Sequence, residues 1–194
     1  MTHSPSGTLT LPFLRAAVLA LAIVLPFVAA HRGYAQSATT EQVKAAFLYN
    51  FARFTEWPAD AFVSESAALV IGIAGDEALR RTVDDVIRGK FAGIRSLKTR
   101  LIRNPSDTAG VHMLYIGGTA ASGAEDFVQA LNHGPVLTVG DVDGFSDKGG
   151  MINFLIANSR VRFEIRMDVT ERSRLKVSSR VLTLAKTLHG TRKQ

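Results

Sequence analysis

Ala68-Leu-Val-Ile-Gly-Ile-Ala-Gly-Asp-Glu-Ala-Leu-Arg-Arg-Thr-Val-Asp-Asp-Val-Ile-Arg-Gly89 changes its hydrophobic period part-way along. Ala68 to Ala74 is almost wholly apolar and short, the pattern of a strand buried on both faces. Gly75 then permits a tight turn, and Asp76 suits a helix N-cap. Leu79, Val83, Val86 and Ile87 recur at helical spacing, and Gly89 suits the position just past a helix end. Strand, glycine turn and helix in succession open an α/β unit.

Reading upstream, Val43, Ala46, Phe47, Asn50, Phe51 and Phe54 share one helical face, apolar except for Asn50. Thr39 and Gln42 form a capping box at its start, and Trp57-Pro58 marks its end. Three Phe side chains on one face require burial, each worth about 1.5–3 kcal/mol. Reading downstream, Leu97–Arg103, Val111–Ile116 and Val136–Val139 are further predicted strands. Ser122 or Thr119 is placed as the cap of a helix carrying Ala124, Phe127, Val128 and Leu131. Met151–Ala157 and Val161–Met167 form a hairpin around Asn158-Ser159. Its second arm alternates strictly: Val161, Phe163, Ile165 and Met167 face one way, and Arg160, Arg162, Glu164 and Arg166 the other. Val181, Leu182, Leu184, Ala185 and Leu188 predict a last amphipathic helix, capped by Ser178 or Ser179. The expected fold is a single α/β domain over residues 40–189. It has a mixed central sheet of about five to six strands flanked by helices, then a C-terminal β-hairpin and helix. Residues 190–194 are expected to be a disordered tail.

The chain has 194 residues, a net charge of +6 and no cysteine. Thiol catalysis, cysteine metal sites and disulfides are therefore excluded. Arg15 precedes an apolar run, Ala16–Ala30, broken only by Pro26. Gly33-Tyr34-Ala35 follows, with small residues at −3 and −1. Residues 1–35 read as a secretory signal peptide cleaved between Ala35 and Gln36. Cleavage after Ala30 and an uncleaved anchor are the competing readings. Removal takes Arg15 and Arg32 from the net charge of +6 and leaves +4, too diffuse to argue for nucleic acid.

No catalytic constellation emerges. Asp141-Val-Asp-Gly-Phe-Ser-Asp147 departs from a calcium loop, with glycine fourth and Ile152 at the twelfth position. His112, His133 and His189 lack metal-ligand spacing. Ser122 lies in no nucleophile elbow, and Gly72-Ile-Ala-Gly75 is not a nucleotide fingerprint. The reading is a protein that is not an enzyme and holds no cofactor or metal.

Two blocks carry a family likeness. Lys44-Ala-Ala-Phe-Leu-Tyr-Asn-Phe-Ala-Arg-Phe-Thr-Glu-Trp-Pro58 resembles the signature helix of YfiR-like exported proteins. Gly150-Met-Ile-Asn-Phe154, Arg160-Val-Arg-Phe-Glu-Ile165 and Ser178-Ser179 with Leu182 and Leu184-Ala185 resemble that family's C-terminal signature. The resemblance implies a periplasmic α/β regulator. It would repress an inner-membrane diguanylate cyclase by contacting its periplasmic part, and would be relieved by an outer-membrane lipoprotein. Homodimerisation is left open. The namesake carries disulfides and this chain has none, so redox control of that kind cannot operate here. The alternative is a periplasmic module that senses a small ligand. Asn50, Arg53, Trp57, Asn153, Arg162 and Glu164 are the polar or aromatic members of the two blocks. They are read either as an internal network tying the first helix to the hairpin, or as a partner or ligand face. Protein recovered from the periplasm is expected to begin at Gln36; an intact mass that retains Met1 would overturn this.

Overall fold

The computed structural model describes residues 38–131, 134–158 and 160–190. The predicted signal peptide, His133, Ser159 of the hairpin turn and residues 191–194 of the tail lie outside them. The first helix, α1 (Thr40–Arg53), starts at the expected capping box. The Thr39 side chain accepts from the Gln42 amide at 3.2 Å, and the Gln42 side chain accepts from the Thr39 amide at 2.9 Å. It ends at Arg53, four residues before Trp57. Thr55–Glu56 (β1) instead pairs antiparallel with Lys176–Val177 (β9) as a separate ribbon.

The α/β unit follows: β2 (Leu69–Ala74), then α2 (Glu77–Ile87), whose Leu79 amide donates to Asp76 Oδ1 at 2.9 Å. Next come β3 (Phe91–Ala92), β4 (Arg95–Ile102) and β5 (Met113–Ile116), then α3 (Ala124–Ala130), β6 (Leu137–Gly140), β7 (Ile152–Ala157) and β8 (Arg160–Arg166). The chain closes with α4 (Met167–Arg172), β9, α5 (Ser179–Leu182) and β10 (Thr187–His189). The central sheet runs β10-β8-β7-β6-β5-β2-β4-β3. It is parallel from β4 to β7 and antiparallel in the β3–β4 and β7–β8 hairpins, and β10 lies parallel to β8. Its eight strands exceed the five to six expected.

Two strands of this sheet lie outside the segments expected to be strand. β3 was not predicted. The last helix stops at Leu182, and Thr187–His189 joins the sheet edge, with the Lys186 amide donating to Phe163 O at 2.8 Å. A free row of β8 backbone groups competes there with a short, weakly specified helix. α3 starts from a 3-10 turn, Gly118–Gly123, without the predicted Ser122 or Thr119 cap.

Alternation divides the core between two faces. Ile71, Ile73, Met113, Tyr115, Leu137 and Val139 join α1 and α2 on one face. Ala74, Ile102, Leu114, Ile116, Phe127 and Phe145 fill the other. Phe145 lies against bare backbone: a Cβ on Gly140 or Gly150 would sit 2.4 or 2.2 Å from its ring.

The hairpin lies against α1 as the alternation predicts. Phe51 is 4.9 Å, centroid to centroid, from Phe163 and 6.0 Å from Phe154, and Phe47 is 5.2 Å from Phe163. The buried face of α1 is rotated from the predicted stripe, however. Lys44, Ala45, Leu48, Phe51 and Ala52 are buried, while Ala46 is exposed and Asn50 half-buried. Two partners set that face, because α1 packs on α2 as well as on the hairpin. Phe51→Ala is expected to cost about 3–5 kcal/mol in urea melts, the usual range for a large buried aromatic. A loss below about 1 kcal/mol would be that of a surface change.

Candidate functional site

The six residues singled out in the sequence fall in two separate places. Arg53 and Trp57 line a hollow of about 300 Å³ below α1, together with Glu56, Phe62 and Arg95. Trp57 Nε1 donates to His112 O at 3.0 Å. The Val70 amide donates to His112 Nδ1 at 3.1 Å, which leaves the proton on Nε2, 3.1 Å from Ala61 O. Phe62 stacks on the imidazole at 4.3 Å and 16°, and the Arg95 guanidinium lies 3.5 Å from the Phe62 centroid. Arg95 Nη1 also donates to Ser64 O at 3.0 Å and Ala67 O at 2.8 Å. This stack fixes the loop that carries Val63 beside the β3–β4 tip that carries Ile94. Val63 is 99% exposed, Ile94 81% and Phe91 55%. Their chain neighbours Phe62, Ala92, Gly93 and Arg95 line the hollow, so these three apolar residues form a rim beside it.

Asn153 and Glu164 stand elsewhere, in a polar cleft of about 590 Å³ with Ser146, Arg166, Asp168 and His189. Ser146 Oγ donates to Glu164 Oε1 at 2.9 Å, and His189 Nε2 lies 3.1 Å from Oε2. Burial works to raise the Glu164 pKa. The bonds from Ser146, His189 and Asn153 outweigh it and hold the carboxyl below its ordinary value. Asn153 Oδ1 also accepts from the Val142 amide at 3.4 Å. Arg162 is exposed and belongs to neither place, and the Asn50 carbonyl accepts the Phe54 amide that closes α1. No polar bridge among the described residues joins Asn50, Arg53 or Trp57 to the hairpin. The link is aromatic.

The sequence reading missed the polar tie that α1 does make. Lys44, 6% exposed, is ion-paired with Asp141 at the end of β6. Tyr115, buried at the end of β5, stands near the same carboxylate. Burial first, then Asp141 and Asp76, push its hydroxyl pKa up, so it stays protonated. The only local hint was a lysine flanking an apolar stripe.

β2 is followed in space by β4 on one side and β5 on the other, so the sheet order reverses between β2 and β5. Open α/β sheets bind ligands outside the strand ends at such a point. Here the chain closes that crevice on itself. The Gly117 amide donates to Ala74 O and the Thr119 amide to Gly75 O, both at 3.1 Å. Gly75 has φ +80°, and a Cβ there would stand 2.1 Å from Gly117 O. An open cleft of about 650 Å³ remains alongside, lined by Asp76, Glu77, Arg103, Thr119, Ser122 and Phe127.

The model of the YfiR/HmsC-like family matches residues 41–186. The chain belongs to that family. YfiR/HmsC-like proteins are regulators of cyclic di-GMP signalling that work in the periplasm, not catalysts. Among the described residues no helix is long and apolar enough to cross a membrane. Comparison with curated proteins gives no match. A conserved domain protein of Vibrio cholerae O1 biovar El Tor strain N16961 is similar in fold, at 9% identity and a TM-score of 0.50. That likeness covers 77% of this chain and 60% of the Vibrio chain. The ABC domain from Streptococcus pneumoniae, solved with L-Trp, aligns at 10% identity and a TM-score of 0.47. The alignment covers 62% of this chain and 55% of that one. The YfiR/HmsC-like chain thus spans less than two thirds of either structure.

His112 yields a pH expectation. Its burial, then the Arg95 and Arg100 charges, lower its pKa, and the bond to Ala61 only partly offsets them. An unfolded imidazole takes up a proton near pH 6.5, while the native ring does not until lower pH. The unfolded state therefore binds more protons, and stability falls as pH drops below about 6.5, levelling off beneath the native value. Urea melts across a pH series should show this decline. His112→Gln should flatten it.

Proposed function

We propose that this chain represses a membrane-bound diguanylate cyclase from the periplasmic side, by binding the cyclase's periplasmic part. The observation that carries the reading is the apolar rim of Val63, Phe91 and Ile94 beside the Trp57 hollow. Solvated side chains of this size, grouped next to a concave surface, suit a protein partner. Of the six residues read from the sequence, Arg53 and Trp57 belong to that surface, and the other four do not.

The physics is a population shift. The repressor acts by binding the inactive conformation of the cyclase more tightly than the active one. Each 1.4 kcal/mol of differential affinity gives about a tenfold bias. Residues 1–35 serve as the export signal and are removed. An outer-membrane lipoprotein that competes for the repressor would relieve the restraint. The second reading is a ligand sensor, favoured by the open cleft of about 650 Å³ at the strand ends.

Deleting the gene should raise cellular cyclic di-GMP and biofilm, and the exported protein should restore both. Protein lacking residues 1–35 should fail to restore them. Val63→Glu combined with Ile94→Glu should also fail while melting like the wild type, because both side chains lie in solvent. Unchanged cyclic di-GMP on deletion, with the protein expressed, would put the ligand sensor in front.

A further inference from the structure

Among the described residues, most of β4 forms an open edge of the sheet. β4 spans Arg95–Ile102, but β3 covers only its first two residues, pairing Phe91 with Ser96 and Ala92 with Arg95. From Leu97 to Ile102, β4 pairs with Leu69–Ala74 of β2 on its inner side. Among the described residues no strand pairs with its outer side. Six consecutive residues thus have no strand on their outer side, which leaves a row of backbone donors and acceptors there as a template for another strand.

The flank of this edge is shaped. A groove of about 430 Å³ runs between the end of α2 and β4, with Ile87, Phe91 and Leu97 as apolar lining; its charges are Arg80, Arg88, Lys90 and Lys98 and one acid, Asp84, which is paired with Arg80. It continues into the apolar rim, since Phe91 belongs to both. The charges that the edge strand itself carries have one sign. Arg95, Lys98, Arg100 and Arg103 follow in turn with no acid between them, and Lys98, Arg100 and Arg103 are exposed. Arg100 donates to the Asp107 and Ala109 carbonyls at 3.0 and 2.5 Å, which holds the side chain without neutralising it. Among the described residues none of these cations, nor Lys90, forms an ion pair.

We propose that the outer edge of β4, Leu97–Ile102, is a docking site for an extended acidic segment of a partner protein, added as a further strand with apolar side chains in the Ile87–Phe91–Leu97 groove. Strand addition takes its affinity from main-chain hydrogen bonds and its specificity from alternate side-chain positions. The charge selects the occupant. A second copy meeting the same edge would set cation against cation, and like charges directly opposite across strands are destabilising. Acidic side chains at alternate positions would instead meet Lys98 and Arg100. The basic residues that keep this edge from pairing with itself therefore define what it accepts. The inference rests on the reading that the chain acts by binding another protein, and it adds where and with what chemistry.

The test uses the purified exported protein and three short synthetic peptides. One alternates Glu and Val, one alternates Lys and Val, and one is the Glu/Val peptide with alternate backbone nitrogens methylated. The Glu/Val peptide should bind, and its affinity should fall with added salt. The Lys/Val and methylated peptides should bind at least about tenfold more weakly, the first from charge and the second from lost main-chain bonds. Lys98→Glu with Arg100→Glu should invert the preference between the two charged peptides. The single change Lys98→Glu leaves the Arg100 contacts in place and should weaken Glu/Val binding even if the double variant folds poorly. Equal binding of the methylated peptide, or no effect of Lys98→Glu, would overturn the proposal. In cells, Lys98→Glu should raise cyclic di-GMP as deletion does. If deletion raises it but Lys98→Glu neither raises it nor alters peptide binding, the edge proposal fails and the repressor reading stands. If deletion leaves it unchanged while the peptides behave as stated, the repressor reading fails and the docking edge remains.

Discussion

The contact of Phe51 with Phe154 and Phe163 is the constraint on which the rest of this domain depends. It joins the first helix to a hairpin a hundred residues later, and with Phe47 it sets both helix rings within about 6 Å of both hairpin rings. Once α1 is held there, Lys44 reaches Asp141, and the helix end delivers Thr55 to Val177 and Trp57 to His112. Each of these is a long-range tie that needs the helix already in place. None would fix the helix alone, since a part-buried ion pair gains little net stability and one hydrogen bond contributes about 1 kcal/mol.

Features set by local chemistry were legible. The Thr39–Gln42 capping box, the Asp76 cap and the Gly89 stop each follow from a few neighbouring side chains. The alternation of Val161, Phe163 and Ile165 placed the hairpin face because a strand period leaves no choice of side. The misreadings came where tertiary partners decided. The face of α1 was off because two surfaces bury it. Leu184 and Leu188 have helical spacing, yet the backbone edge of β8 draws Thr187–His189 into the sheet, and no property of those residues alone announces that edge.

The candidate site was legible only in part. Arg53 stands out as a polar member of an aromatic helix and Trp57 as the mark of its end, and both line one hollow. Their neighbours His112, Phe62 and Arg95 come from three other segments, and nothing in the local pattern of each reveals the stack. Asn153 and Glu164 were grouped with Trp57 by shared membership of a motif. The sheet separates them, because a polar residue's position in a signature says nothing about which neighbour satisfies it. Glu164 finds Ser146, from the loop that follows β6, and His189, from β10.

The packing of α1 against the hairpin also has a kinetic consequence. Lys44 and Asp141 are 97 residues apart in sequence, and Thr55 pairs with a strand near the C-terminal end of the domain. Contacts of that separation slow folding, because loop closure must precede any gain from them. Until the hairpin arrives, α1 lacks one of the two surfaces that bury it, the one that covers Phe47 and Phe51. A chain crossing into the periplasm N-terminus first would hold this state throughout its passage. Over that interval the uncovered aromatic face is the part of the domain most open to non-native association, since exposed apolar surface in partly folded states favours aggregation.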